Sequence, residues 1–399
     1  MITLADIREA RERVGPVLRP TPVEPSDSLT AIAGRPVLLK PEFRQRTGSF
    51  KIRGAFNLVA QLQPGVPVVA ASAGNHAQGV ALAATRTGRH STIFMPANAA
   101  LPKVEATRAY GAEVRLEGTV VDESIALARQ FAEAEGAVYV PPFDDPRVIA
   151  GQGTIGLELV DEAPDDLDVV VVPIGGGGLI SGIATALAHT KAAVRVVGVE
   201  AAGAAAMRAS IDAGRVVVLD EVSTMADGIA LKSPCELTLA HIRAYVDDVV
   251  TVTEEETSRA LLLLLERAKA VVEPAGAVAV AALLSGKVRG RGPAVALLSG
   301  GNVDPLLLIK LIDHGLTAAG RYLLLRIVLQ DRPGTLAALT STVAALGLNV
   351  LSVEHHRVGV DLPVDKTEVL LTLETTDPDH RGQVVASLQN AGYQVELVR

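Results

Sequence analysis

Short apolar runs that alternate with helical segments constrain the fold of this chain more than any other feature of its sequence. Five such runs lie at residues 68–72, 92–95, 168–174, 194–199 and 294–298. Uninterrupted apolar strands belong in parallel sheets that helices cover on both faces. The pattern therefore predicts an α/β architecture, with a smaller domain at residues 41–149 and a larger domain assembled from residues 1–40 and 150–318.

The last part of the chain, residues 321–399, has a different pattern. Extended segments are predicted at 322–330, 350–357, 367–375 and 393–398, and helices at 335–346 and 380–391. A turn that contains Gly359, Asp361 and Pro363 is expected between the second and third strands. The order βαββαβ is that of the ferredoxin-like fold, and a unit of this length can bury its own core.

Charge and cysteine content exclude several classes of function. The 399 residues carry a net charge of −8, which does not favour nucleic acid or an anionic membrane as a partner. Cys235 is the only cysteine, which excludes an intrachain disulfide and a multi-cysteine metal site; we interpret it as a small packed side chain. The first residues mix both charge signs, and no window supplies the ~18 uncharged apolar residues of a membrane span. A cytoplasmic location is therefore expected.

The motif Ser49-Phe-Lys51 places a lysine between apolar neighbours at the start of a predicted helix. Partial desolvation would lower the pKa of Lys51 toward the amine form that imine chemistry requires. A solvated surface charge is the alternative interpretation.

The motif Ser72-Ala-Gly-Asn75-His76 lies where a predicted strand passes into a helix. Small residues there let backbone N–H groups approach an anion, which the helix N-terminus favours. Asn75 can donate to an oxyanion or a phenolate, with an ordinary helix cap as the alternative. His76 is expected to be a local hydrogen-bonding residue.

Four consecutive glycines, from Gly175 to Gly178, follow the strand ending at Ile174 and begin a helix. Their amides can all point at one phosphate. Because glycine loses more conformational entropy than other residues on folding, four together seldom persist for packing alone; a flexible turn is the alternative. The G-x-G-x-x-G dinucleotide pattern is imperfectly met, but Glu200 on the next strand leaves a nucleotide-dependent oxidoreductase open as a hypothesis.

Ser299, in Leu298-Ser-Gly-Gly-Asn302, lies at the end of another predicted strand, where open α/β sheets bind ligands. A cap for the helix that begins near Asp304 is the alternative. Upstream, Val272-Glu-Pro-Ala-Gly276 places the carboxylate of Glu273 before a rigid turn. Each motif alone is a modest signal, so the argument depends on their joint presence and order.

These motifs occur in the order seen in fold-type II pyridoxal-phosphate (PLP) enzymes, and residues 1–318 most resemble the threonine dehydratases, or threonine ammonia-lyases. The resemblance implies a two-domain fold like that of the tryptophan synthase β subunit, with pyridoxal 5'-phosphate held by Lys51 as a Schiff base. The other cofactor contacts that it implies are Phe50 at the ring, Asn75 at the 3-oxygen, Gly175, Gly176, Gly177, Gly178 and Leu179 at the phosphate, and Ser299 at the pyridine nitrogen.

The resemblance further implies that L-threonine loses water and ammonia to give 2-oxobutyrate, with Lys51 removing the Cα proton. The segment of Ser72, Ala73, Gly74 and His76 would bind this amino-acid substrate. Serine racemases carry a serine at the position of Ala73, and racemisation needs a second acid/base on that face, so negligible racemisation is expected.

Besides the nucleotide-dependent oxidoreductase, three alternatives to a threonine dehydratase stay open. A serine dehydratase is the nearest, because a pocket for one methyl group changes binding by only ~1–3 kcal/mol. A serine racemase-like enzyme and a non-catalytic amino-acid sensor are the others.

Residues 321–399 resemble an ACT domain, an amino-acid-sensing module of ferredoxin-like fold. The segments that match its effector-binding regions contain Asp331 and Gly334, and Asn349 and Leu351. Long biosynthetic threonine dehydratases, which serve isoleucine synthesis, carry two such modules and short degradative ones carry none. A single module suggests pairing between subunits of a homodimer or homotetramer, with a branched-chain amino acid as effector; a dimerisation module without ligand is the alternative.

Glu221 and Asp227 flank a stretch near which relatives can hold a structural cation. Solvated or capping carboxylates are the alternative, and no metal cofactor is expected.

Overall fold

The computed structural model describes residues 1–318, 320–357 and 363–398, and the chain separates into two units, Met1–Leu307 and Leu308–Arg399. Its strands are β1 (Glu24–Pro25), β2 (Val37–Lys40), β3 (Val68–Ala71), β4 (Ser91–Met95), β5 (Glu113–Leu116), β6 (Val138–Tyr139), β7 (Val169–Pro173), β8 (Arg195–Ala201), β9 (Asp248–Val252), β10 (Ala294–Leu297), β11 (Tyr322–Gln330), β12 (Val350–His356), β13 (Lys366–Glu374) and β14 (Gln394–Leu397). Its α-helices are α1 (Leu4–Val14), α2 (Asp27–Ala33), α3 (Lys51–Val59), α4 (Asn75–Arg86), α5 (Leu101–Ala109), α6 (Val121–Glu135), α7 (Pro146–Glu162), α8 (Gly178–Ala188), α9 (Ala206–Ala213), α10 (Glu236–Tyr245), α11 (Glu254–Glu266), α12 (Pro274–Leu284), α13 (Pro305–Ala318), α14 (Thr335–Ala345) and α15 (Pro378–Asn390).

The larger sheet of the first unit has the strand order β1-β2-β10-β7-β8-β9. Only the pairing of β1 with β2 is antiparallel among these described strands; the others are parallel. Every residue of β7 and β10 is buried, because helices cover both faces of the sheet at its centre. The prediction of a parallel α/β fold is confirmed.

A second parallel sheet, of order β5-β4-β3-β6, lies within residues 68–139. Its two central strands, β3 and β4, are buried along their whole length. The sheet falls inside the predicted smaller domain, whose boundaries at residues 41 and 149 stay a prediction.

Helices α7 and α8 approach each other closely because glycines meet where they cross. A Cβ on Gly182 would lie 2.5 Å from the backbone nitrogen of Gly153, a distance that real side chains do not reach. Since α8 begins at Gly178, this contact holds the end of the glycine loop against α7.

The most apolar stretch of the sequence, residues 260–284, forms the end of α11 and all of α12. Helix α12 is buried from Pro274 to Leu283 and packs against four strands of the larger sheet. Within the described ranges, no helix is both long and apolar enough to cross a membrane.

The second unit contains an antiparallel sheet of order β12-β13-β11-β14 with α14 and α15 packed on it. Its βαββαβ order and the bounds of its elements agree with the sequence prediction to within about two residues. The ferredoxin-like fold is therefore confirmed. Of the predicted turn, residues 358–362, which include Gly359 and Asp361, lie outside the described part of the chain.

Candidate active site

The predicted motifs of the first unit meet at one edge of its sheets. β2, β10 and β7 are neighbouring parallel strands, and one motif follows the carboxyl end of each. The segment that leads to Lys51 follows β2, Ser299 follows β10, and the glycine loop follows β7. In open α/β sheets this edge is where ligands bind. The Ser72–His76 motif follows the carboxyl end of β3 in the smaller sheet.

Lys51 is the first residue of α3 and is half-buried. Its Nζ donates to the carbonyl of Pro142 at 3.0 Å and lies 5.2 Å from the centre of the Phe50 ring. Burial lowers the pKa of Lys51 to about 8, although the nearby Glu273 carboxylate acts in the opposite direction. At pH 7 about one tenth of this lysine is therefore an uncharged amine, far more than at its ordinary pKa of 10.5, in the direction that its apolar flanks predicted.

The glycine loop presents unpaired donors at the N-terminus of α8. No described residue accepts a hydrogen bond from the backbone N–H groups of residues 175–179. Gly177, with φ of 88°, turns the chain into the helix. Buried N–H groups normally have partners, so this row of donors fits an anion such as a phosphate.

Packing also requires these glycines, which the sequence argument did not anticipate. A Cβ on Gly176 would overlap the ring of Phe143, and one on Gly178 would lie 2.9 Å from the Phe143 Cβ. Phe143 follows Pro142, the residue that accepts from Lys51. The segment 142–143 thus joins the lysine and the glycine loop, and the loop is packed rather than flexible.

Both polar atoms of the Asn75 side-chain amide form hydrogen bonds. Its Nδ2 donates to Glu273 Oε1 at 2.6 Å, and its Oδ1 accepts from Asn302 Nδ2 at 2.7 Å. It is the first residue of α4, after Gly74, which occupies the cap position without a side-chain hydrogen bond. Asn75 is therefore not the helix cap that the alternative interpretation required.

The other residues of this motif have separate surroundings. The Oγ of Ser72 accepts from the N–H of Gly74 at 3.1 Å, and Ala73 is half-buried beside them. His76 is buried, and its Nε2 lies 2.8 Å from the carbonyl of Val140. Burial and the charge of Lys51 lower the pKa of His76 to about 3, so the ring is neutral and donates to Val140. This agrees with a local hydrogen-bonding role.

Ser299 is buried and lies two residues after the end of β10. Its carbonyl accepts from the N–H of Phe50 at 3.1 Å, and Ser49 forms a bridge with Gly300. Asp304, not Ser299, caps α13, since its carboxylate accepts from the N–H of Leu306. The contact between Phe50 and Ser299 brings the lysine segment to the serine.

Glu273 is a site residue whose role the sequence did not indicate. Its carboxylate is 5% exposed at the start of α12 and reaches Asn75, which is 198 residues away in sequence. Burial and the nearby Asp227 raise the pKa of Glu273 to about 7, against the effects of Asn75, Lys103 and Lys51. Its motif was noticed, but nothing local to it predicts its partner.

Two other predictions concerned the carboxylates of Glu200, Glu221 and Asp227. Both oxygens of Glu200 accept from backbone N–H groups, of Met207 and Arg208 at 2.8 Å, so this side chain caps α9 and is not free to bind a ribose. Asp227 forms an ion pair with Lys103 at 2.8 Å, and Glu221 is exposed. No group of three or more potential metal ligands occurs among the described residues.

Cys235 is half-buried and its thiol lies 3.4 Å from the Thr238 hydroxyl at the start of α10. Thr238 in turn lies beside the glycine loop, since a Cβ on Gly177 would be 3.0 Å from the Thr238 Cβ.

In the second unit, the predicted effector residues lie at opposite ends of the sheet. The N–H of Asp331 donates to the carbonyl of Asp365, next to the start of β13, whereas the carbonyl of Asn349 accepts from Glu374 at its end. The eight steps between Lys366 and Glu374 span about 26 Å. Gly334 caps α14 with φ of 93°, and Leu351 is 49% exposed on β12.

The chain is similar to known proteins along its whole length. Residues 14–300 match the family of pyridoxal-phosphate dependent enzymes, and residues 323–392 match the ACT domain. An L-threonine ammonia-lyase of Thermotoga maritima is 47% identical over 402 residues, which cover 100% of both chains. Threonine deaminase isoform 2 of Solanum lycopersicum has a solved structure with a TM-score of 0.74 and 37% identity, covering 78% of this chain and 91% of that one. Maize serine racemase also has a TM-score of 0.74, at 35% identity, covering 79% and 98%.

Proposed function

The chain belongs to the pyridoxal-phosphate dependent enzymes and, within them, to the threonine ammonia-lyase family, and on this premise we propose that it converts L-threonine to 2-oxobutyrate and ammonia. Its cofactor is pyridoxal 5'-phosphate. One observation carries the proposal: an amine with a lowered pKa, on Lys51, is joined through Pro142 and Phe143 to a loop of unpaired backbone donors.

The residues present fit the cofactor. The N–H groups of residues 175–179 would donate to its phosphate, and the Lys51 amine would hold it covalently. Asn75 retains one N–H after its contact with Glu273 and would donate it to the 3-oxygen. Phe50 would line the ring, and the neutral hydroxyl of Ser299 would meet the pyridine nitrogen without forcing its protonation.

When bound, the cofactor supplies an electron sink for the charge that develops at the substrate Cα. Lys51 Nζ would accept the Cα proton, and the lowered pKa keeps part of this amine unprotonated at neutral pH. The backbone and hydroxyl of Ser72–Gly74 would bind the substrate carboxylate beside the N-terminus of α4. The neutral His76 would hold this segment in place through its hydrogen bond to the carbonyl of Val140.

Ala73 supports elimination over racemisation, because a methyl group cannot deliver a proton to the opposite face of the substrate. Detection of substantial D-amino acid from the L-enantiomer would contradict this part of the proposal. L-Serine is the second candidate substrate.

The test is release of keto acid from L-threonine and from L-serine by the PLP-loaded protein, with K51A as the control. We expect 2-oxobutyrate from threonine at a higher kcat/KM than pyruvate from serine, and no product with K51A. No keto acid from either substrate would refute the proposal, and borohydride that fails to fix the cofactor on Lys51 would favour a non-catalytic amino-acid sensor.

We also propose that the ACT unit binds a branched-chain amino acid between two copies of the chain. Asp331 and Asn349 are too far apart in one unit to hold one amino acid, since about 26 Å of β13 separates them. The edge strand β12 is exposed along its length, with Val350, Leu351 and Val353 each at least 40% exposed. Pairing of two edge strands would bring Asp331 and Gly334 of one copy towards Asn349 and Leu351 of the other in a homodimer or homotetramer.

Kinetics with isoleucine and valine test this regulation. We expect isoleucine or valine to shift the threonine concentration that gives the half-maximal rate, and we expect this shift to be smaller in N349A. Sedimentation should show an assembly no smaller than a dimer. Unchanged kinetics with every branched-chain amino acid would leave only a dimerisation role for this unit. We further predict that the protein is cytoplasmic and serves isoleucine biosynthesis.

A further inference from the structure

Asn75 is the middle of a chain of hydrogen bonds whose direction is set by a backbone carbonyl at one end. The chain begins at the carbonyl of Thr47, which accepts from Asn302 Nδ2 at 2.7 Å. The same nitrogen donates its second hydrogen to Asn75 Oδ1, and Asn75 Nδ2 donates to Glu273 Oε1. The Thr47 carbonyl can only accept, so it fixes the orientation of the Asn302 amide, and Asn302 in turn fixes that of Asn75. No reversal of either amide keeps all of these bonds.

Backbone contacts hold this chain in place. The N–H of Glu273 donates to the carbonyl of Gly300 at 3.1 Å. A Cβ on Gly300 would overlap Glu273 Oε1 and lie 2.9 Å from Asn75 Nδ2, so only glycine leaves room for the contact between the two side chains. Gly300 directly follows Ser299, and the arrangement is therefore continuous with the cofactor-binding edge of the sheet.

We propose that Glu273 and Asn302 are positioning residues that orient the Asn75 amide, so that its one remaining N–H points at the 3-oxygen of the cofactor. This inference rests on the proposed function, because it requires pyridoxal 5'-phosphate beside Asn75. The carboxylate acts through its hydrogen bond to Asn75 and not through its charge. The raised pKa of Glu273 agrees with this, since a carboxyl group that is partly protonated near neutral pH still accepts through its carbonyl oxygen.

Cofactor affinity of the apoprotein, followed by absorbance, gives the direct test. We expect E273A to bind pyridoxal 5'-phosphate about tenfold more weakly, the effect of one well-oriented hydrogen bond. E273Q should stay within about threefold of the unsubstituted protein, because the Gln oxygen can accept from Asn75. N302A should resemble E273A, because it releases the same amide from the other side.

The N75A background separates positioning from a general structural effect. If Glu273 acts through Asn75, adding E273A to N75A causes no further loss of affinity. A further tenfold loss would overturn the inference, and so would an E273Q variant as weak as E273A. If E273A does not fold, N302A replaces it in the same test. N302A alone should then weaken cofactor binding, whereas adding N302A to N75A should cause no further loss of affinity.

E200Q is the matched control, because Glu200 is an equally buried carboxylate with a raised pKa that caps α9 away from this chain of bonds. It should leave cofactor affinity and the absorption spectrum of the bound cofactor unchanged. E273A should alter that spectrum, since the 3-oxygen loses its oriented donor. A protein that binds no pyridoxal 5'-phosphate at all would refute the proposed function; normal binding with E273A equal to the unsubstituted protein would refute this inference alone.

Discussion

Replacement of Arg53 by methionine should destabilise the first unit more than any single loss of a hydrogen bond would. Arg53 is fully buried two residues after Lys51. Its guanidinium donates to both oxygens of Glu42 at 2.8 Å, to both oxygens of Glu158, and to the Thr154 hydroxyl. These bonds tie the start of α3, which carries the lysine, to α7.

The loss in free energy of unfolding depends on which partners the carboxylates of Glu158 and Glu42 retain in R53M. Glu158 keeps Lys40 at 2.7 Å. Glu42, which is fully buried, keeps only the hydroxyl of Thr21 among the described residues, at 2.6 Å. Breaking a buried ion pair by removing one partner costs about 3–5 kcal/mol, because a charge remains without compensation. Methionine fills similar volume, so little of the loss should come from packing.

The measurement is equilibrium unfolding of the apoprotein in urea, for R53M, E42Q and the double variant. E42Q alone should cost about 1–2 kcal/mol, since Arg53 keeps its paired contact with Glu158. The double variant should be more stable than R53M, because it no longer buries an unpaired carboxylate. Strictly additive losses, or a cost below about 1 kcal/mol for R53M, would refute the reasoning.

Three further results are expected. Burial raises the pKa of Glu200 from 4.5 to about 7, so the folded state favours the protonated carboxyl group. The stability that Glu200 contributes is therefore fully present below pH 4.5 and is lost as the pH rises through about 7. E200Q should therefore gain about 3 kcal/mol in free energy of unfolding relative to the unsubstituted protein between pH 4.5 and 8, and a constant difference would contradict the buried-charge argument. The rate of cofactor capture by the apoprotein, followed by stopped-flow absorbance, should rise with pH and level off above about 8, the pKa of Lys51; a rise that continues to pH 10 would mean that this pKa is not lowered. G176A should weaken cofactor binding at least tenfold, because its methyl group would displace Phe143 and the loop, whereas G382A, in open space on α15, should not; equal affinities would show that the loop tolerates a side chain.

Local patterns in the sequence predicted five strands of the first unit, the elements of the second unit and the place of each motif. They did not predict strands such as β2 and β5. β7 and β10 were recognisable because an uninterrupted apolar run has few alternatives to a buried parallel strand. The bounds of β11 were predicted to the residue, since alternating burial along it matches the period of a strand that packs on one face. Parallel strands bring their carboxyl ends to one edge, so Gly175–Gly178 and Ser299 could be placed together before any contact was known. Lys51 joined them only through the order of the motifs, because β2 was not predicted.

The tertiary structure decided which side chains meet. Glu273 lies against Asn75, and Phe143 against Gly176, across long separations in sequence. Asp331 and Asn349 are 18 residues apart in sequence, yet the register of β13 against its neighbours places them at opposite ends of a sheet. The physical reason is that backbone propensity and hydrophobic period act over a few residues, whereas these contacts depend on how whole elements pack. The lysine proposed to hold the cofactor was found from its motif together with the order of the other motifs along the chain. The groups that would orient the cofactor could be found only from their neighbours in space.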